Sequence, residues 1–280
     1  MDLGSDIILY ILEEAVAIWN VFLSTAFTIV STSPYDLGGD NNIFDAISTR
    51  IGDSISMIAS SLLIVIWGIG VLRSASQIEN QMRGPHHMFW QLFRLFVPAS
   101  LIMSYKYVTS IIISLGVDAL NQILLIDATE LSEMEVESTV IAYLDSAGFW
   151  DKFFAFCISF GFLIQAVRYG SKIVLKVYGR LFSIYGMIFL APIGLAMYGS
   201  QQTEHSAMRY LTSLGKVALH GVVIVIDLII YNVFFTYMTS IDMFAGFSGT
   251  LSGWLLQNFF MMGVLYGLIE ASEQFTERIL

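Results

Sequence analysis

Long stretches of this chain are apolar and almost free of charge: Leu62–Leu72, Phe153–Leu163, Leu181–Tyr198, Val217–Met238 and Leu255–Ile269. A helix that crosses a bilayer needs roughly 20 mostly apolar residues. Backbone groups in lipid must be satisfied within their own segment or in a closed barrel. A transmembrane barrel alternates apolar and polar residues over about 10 positions, and a run such as Val217–Ile230 does not alternate. The expected fold is therefore all-α, a polytopic transmembrane helical protein. Composition agrees: 56% of residues are apolar and 13% are charged. So few charges could not cover the water-facing surface of a soluble chain, which is about a quarter charged.

A pass along the chain predicts about five spans. Residues 7–30 are apolar but carry Glu13, Glu14 and Asn20. Adjacent carboxylates are costly in mid-membrane, so an amphipathic helix on or in the interface is expected, with a first span as the alternative. Residues 1–54 form this helix and an extracytoplasmic loop, and 55–116 the first two spans. The second of these, 88–115, contains Arg94, Pro98 and Lys106. Residues 117–151 hold eight carboxylates and no Lys or Arg, which predicts an acidic outer loop carrying a short helix. A C-terminal core over 152–280 follows, with apolar segments at 152–175, 181–198, 217–238 and 252–269. Gly186, Pro192 and Gly194 mark 181–198 as broken or re-entrant, because proline removes a helix donor and crowds the preceding turn.

Lys and Arg orient the chain. The basic 73–94 turn belongs in the cytoplasm, the acidic N-terminus and loop outside. With 181–198 broken the C-terminus is cytoplasmic; with 181–198 crossing it is outside. The start lacks the basic segment of a cleavable signal.

Two polar patterns stand out. Arg168, Lys172, Lys176 and Arg180 recur every four residues and drift about 40° per step on a helix, giving a slanting basic stripe. It reads as a cytoplasmic anchor to lipid phosphates, or as a surface that meets a partner ATPase or nucleic acid. Lys216, His220, Asp227 and Tyr231 fall within about 60° of one face. Asp227 lies mid-span and needs protein or water around it; Arg94 and Lys106 are its candidate partners. A helix-holding ion pair, an ion relay and the lining of a wet conduit all remain open. Gly263 and Gly267 have the spacing of close helix packing.

Cys157 is the only cysteine, which rules out an internal disulfide or a cysteine metal site. His86–His87 reads as part of a turn. No G-x-S-x-G, H-E-x-x-H, P-loop or dinucleotide turn is present. The chain is expected to be no enzyme and to need no metal or cofactor.

Four segments carry a resemblance. Val177-Tyr178-Gly179-Arg180, Leu190-Ala191-Pro192-Ile193-Gly194-Leu195-Ala196, Tyr210-Leu211-Thr212-Ser213 and Gly221-Val222-Val223-Ile224 follow one another in this order. They resemble the "YGR" turn, "APIP"-like break, "YL–S" stretch and glycine-bearing helix of the TrbL-like family. These are the polytopic inner-membrane subunits of conjugative type IV secretion systems, and the likeness is to the short versions on Gram-positive mobile elements. It covers about residues 165–240, and Gly194 stands where the family often has a second proline. The resemblance implies a non-enzymatic channel or platform in the cytoplasmic membrane. It also implies a homo-oligomer working beside a secretion ATPase and other subunits, passing relaxase-bound single-stranded DNA or protein outward. Tyr178, Gly179, Arg180, Ala191 and Pro192 would then form the turn and break of its core. A small-solute or ion transporter using Asp227 with Arg94 or Lys106 is the alternative.

Overall fold

The computed structural model describes residues 3–37, 43–78, 85–126, 133–240 and 251–279. Among them every regular element is helical. In chain order these are α1 (Leu3–Ser31), α2 (Ile43–Ile47), α3 (Asp53–Ile78), α4 (Pro85–Met103), α5 (Tyr105–Ile126), α6 (Ser138–Ser146), α7 (Phe149–Ala196), α8 (Glu204–Ser240) and α9 (Leu251–Ile279). A π-helical turn, Ser48–Gly52, joins α2 to α3, and a 3₁₀ turn, Met197–Gly199, ends α7.

Six helices are long and apolar enough to cross a membrane: Gly4–Ser31, Ile43–Ser74, Tyr105–Leu124, Phe149–Gly199, Glu204–Met238 and Leu251–Thr276; Phe89–Met103 is a shorter apolar helix. The protein is a polytopic helical membrane protein. Residues 7–30, expected on the interface, belong to one of these six. Ile8, Leu12, Ala15, Trp19, Leu23, Ala26 and Val30 of α1 are buried, at the alternating three- and four-residue spacing of a packed face. Glu13 and Glu14 are exposed.

Three sequence expectations change. The single span at 88–115 is two helices that meet at Ser104. The acidic loop starts later, because Asp118 is still on α5, and its short helix is α6. The segments 152–175 and 181–198 are one 48-residue helix. The expected break at Gly186, Pro192 and Gly194 is not seen: Pro192 lies inside α7 and the chain reverses only after Ala196. Pro192 is in the last turns of α7, where few residues beyond it depend on the helical hydrogen bond it removes.

The described chain separates into two compact units, both assembled from distant segments. The first takes residues 1–31, 120–179 and 222–279; the second takes 32–119 and 180–221. In the first unit, Phe162 packs against Trp254 and Phe259 at 5.5 Å each. The Ser5 hydroxyl donates to the Leu144 carbonyl at 3.1 Å, tying α1 to α6. Asn20, an oddity in an apolar run, has a clear task. Its amide donates to the Met134 carbonyl (3.0 Å) and accepts from the Met134 N–H (3.2 Å). One side chain thus satisfies both backbone groups of an extended residue that has no strand partner among the described residues.

In the second unit, Ala59, Leu63, Ile102, Tyr105, Ala191, Leu195 and Ala196 form a buried cluster of α3, α4, α5 and α7 residues. Small residues permit the approach: a Cβ at Gly199 would meet Leu63 Cδ1 at 2.6 Å. Phe44 stacks on Phe189 (5.6 Å) and Tyr35 meets Phe44 edge-on (4.8 Å). The Tyr185 hydroxyl donates to the Pro34 carbonyl at 2.7 Å. These contacts fasten Pro34, Tyr35 and Phe44 to α7.

Candidate functional site

The four cations of α7 do not form a free stripe. In the first unit, Lys172 sits over the Tyr266 ring, 4.9 Å from its centroid, and Tyr169 stacks on the same ring at 5.4 Å. One turn further, Lys176 pairs with Glu273. Tyr169, Lys172 and Lys176 share a helix face by their spacing of three and four, and Tyr266 and Glu273 lie seven residues apart on α9. The cations therefore clamp α7 to α9. Arg168 stays exposed.

Arg180 does something different. It belongs to the second unit and turns onto α8. Its Nε donates to the Val217 carbonyl and its Nη2 to the Ala218 carbonyl, at long distances of 3.4 and 3.3 Å. The guanidinium occupies the space that a side chain at position 221 would need; Gly221 leaves it vacant. The Ala218 carbonyl is approached from another side by Gly116 of α5, whose Cβ, if present, would lie 3.1 Å from that oxygen. Two glycines thus bring α5, α7 and α8 together around one carbonyl. Each carbonyl has two lone pairs, so α8 keeps its own hydrogen bonds while Arg180 uses the second.

A second interlock lies nearer the reversal. The Tyr210 ring of α8 fills the place of a side chain at Gly194, and its hydroxyl donates to the Met187 carbonyl at 2.7 Å. Pro192 deprives the neighbouring Ile188 carbonyl of its helical donor, so this is the stretch of α7 where an outside donor is most useful. Gly186 faces open space.

The polar face of α8 is divided. Lys216 and His220 are half-buried in the second unit; Asp227 and Tyr231 are buried in the first. Tyr231 packs on Phe235, 5.9 Å between ring centroids. Asp227 is 6% exposed and its Oδ2 has no hydrogen-bond partner. Neither expected partner reaches it. Arg94 pairs with Glu204 at 3.5 Å, and Lys106 is exposed along a groove with Asp53, Ser56 and Ser60. Among the described residues no Lys, Arg or His forms an ion pair with Asp227.

A Cβ added at Gly263 or Gly267 would meet nothing within 4 Å beyond its own helix. Cys157 is exposed. The side chains of His86 and His87 lie outside the described residues, as do Glu79, Arg83 and Gly84 of the basic turn and Asp127 and Glu130 of the acidic loop.

The sequence pointed to Arg180 but not to its seat. Gly116 and Gly221 were legible only as glycines, and Tyr210 only as part of a motif. Comparison with family models, with curated proteins and with solved structures finds no match to this chain.

Proposed function

We propose that this chain is a channel or platform subunit of a conjugative type IV secretion system. It works in the cytoplasmic membrane. Its task is to help relaxase-bound single-stranded DNA, or protein, across. It oligomerises with copies of itself beside a secretion ATPase and other subunits, and it catalyses no reaction.

One observation carries the reading. Second-unit residues of the four segments that resemble the TrbL-like family meet in pairs: Arg180 against Gly221, and Gly194 beneath Tyr210. Segments 14 to 41 residues apart in the chain would not need to be kept together unless their mutual fit mattered. That fit supports a shared α7–α8 core. The transporter alternative has less to stand on, because Arg94 is engaged by Glu204.

The test is an in-frame deletion of the gene in a donor cell carrying the mobile element. Loss of DNA transfer, restored by the wild-type copy in trans, is the expected outcome. Undiminished transfer from the deletion strain sinks the proposal. Purified protein in liposomes should then show no ion or solute flux that depends on Asp227.

A further inference from the structure

A cleft of about 750 Å³ opens in the second unit beside the junction of α4 and α5. One wall is α3, with Asp53, Ser56, Ser60 and Ser61; the other is the turn at Ser104 and the start of α5, with Lys106. Its volume is in the range of small-molecule sites, about 300–1,000 Å³. The α3 wall from Asp53 to Ser61 is about 12 Å long at 1.5 Å per residue, the reach of about three extended residues.

The hydrogen-bonding character of the walls is one-sided. The Ser60 hydroxyl donates to the Ser56 carbonyl at 2.8 Å, Ser61 to the Met57 carbonyl at 3.1 Å and Ser104 to the Ser100 carbonyl at 2.8 Å. Each hydroxyl proton is engaged by the chain's own backbone, so each oxygen keeps a lone pair for an outside donor. Asp53 adds a carboxylate to these acceptors, and Lys106 supplies donors. Both are exposed, and among the described residues neither forms an ion pair. A carboxylate and an ammonium left unpaired are costly against hydrocarbon, so the cleft is wet.

These groups decide what fits. A simple anion meets Lys106 but is repelled by Asp53, and a simple cation the reverse. A neutral polyol leaves both charges unmatched. A molecule that carries its own ammonium and its own carboxylate matches both. Its N–H groups meet Asp53 and the serine oxygens, and its carboxylate meets Lys106. Met57 and Met103, both strongly exposed, add flexible thioether side chains that adapt to different shapes.

We propose that this cleft binds a short peptide by its free termini, the ammonium on Asp53 and the carboxylate on Lys106. The site does not rest on the secretion reading, and its test does not involve DNA transfer.

The experiment is isothermal titration calorimetry of the purified full chain in detergent, with trialanine as the probe. The wild type should bind trialanine. N-acetyl-trialanine and trialanine amide should each bind about tenfold more weakly, one charge-assisted hydrogen bond being lost in each. Asp53→Asn should weaken trialanine by a similar factor and make acetylation harmless; Lys106→Gln should weaken it and make amidation harmless. A variant that only disturbs the fold would not erase one selectivity and keep the other. Should either variant fail to fold, the blocked peptides on the wild type decide alone. No binding of trialanine to the folded wild type, or equal binding of the three peptides, overturns the proposal. Tighter binding of glycerophosphoethanolamine than of trialanine assigns the cleft to a lipid headgroup and overturns it as well.

Discussion

Arg180 shows how one glycine determines where a charge goes. An arginine in mid-helix of a membrane protein needs acceptors, and here they are carbonyls of α8 that only a glycine at 221 leaves open. Gly221→Ala places a methyl in the guanidinium's space, so Arg180 must leave the Val217 and Ala218 carbonyls; the lost charged hydrogen bonds, about 1.5–3 kcal/mol, should outweigh a helix-propensity gain of about 1 kcal/mol. At Gly215, one helix face away on α8, an added Cβ would meet nothing within 4 Å. Gly215→Ala should be neutral or stabilise by up to about 1 kcal/mol through helix propensity. Unfolding temperatures of the two variants in detergent should move in opposite directions. Asp227 is the reverse case, a buried carboxylate without a cation. A buried charge that lacks a partner is a net cost. Asp227→Asn should therefore leave the unfolding temperature unchanged or raise it, and a clear drop would reveal a partner that the charge serves.

Between elements, the α7–α9 clamp replaces the expected open basic stripe. Lys176 and Glu273 are 35% and 57% exposed, so screening keeps their pair within about 0.2–1 kcal/mol. Lys176→Glu should destabilise modestly, and adding Glu273→Lys should recover most of the loss. A double-mutant cycle on unfolding measures that coupling, and additive effects would show that the two side chains do not interact. The clamp also changes how the stripe is tested for function. Reversing Lys172 or Lys176 disturbs helix packing, so only the exposed Arg168 remains a clean probe of a surface role. The apolar runs of α1, α8 and α9 are legible in the sequence, because a spanning helix needs about 20 mostly apolar residues. The joining of 152–175 to 181–198 is not, since the 168–180 cations imitate the end of a span and Pro192 imitates a break. Their true partners sit on α8 and α9, distant in sequence.

At the scale of the whole molecule, the charge-free stretch of α7 from Phe153 to Val167 measures about 22 Å at 1.5 Å per residue, most of the hydrocarbon thickness of about 30 Å. Its large side chains Phe153, Phe154, Phe160 and Ile164 are exposed on the protein surface, as lipid-facing residues are. Cys157 lies within this stretch, one turn from its start, and is exposed too. In sealed vesicles of either orientation it should resist a membrane-impermeant maleimide, and it should react fully once the protein is unfolded in dodecyl sulfate. Rapid labelling in intact vesicles would place this stretch in water. The sequence alone settled the solvent and the secondary structure: a chain this apolar with these runs must be helical in a bilayer, because lipid offers the backbone no other partners. Tertiary structure decided which polar residues are engaged and with whom. Asn20 on Met134, Arg180 on the carbonyls beside Gly221, Tyr210 over Gly194 and Arg94 with Glu204 all join residues 16 to 114 positions apart. Hydropathy averages over neighbours along the chain and carries no information about such pairs; they exist only where small residues let two helices approach closely enough for one side chain to reach the other's backbone.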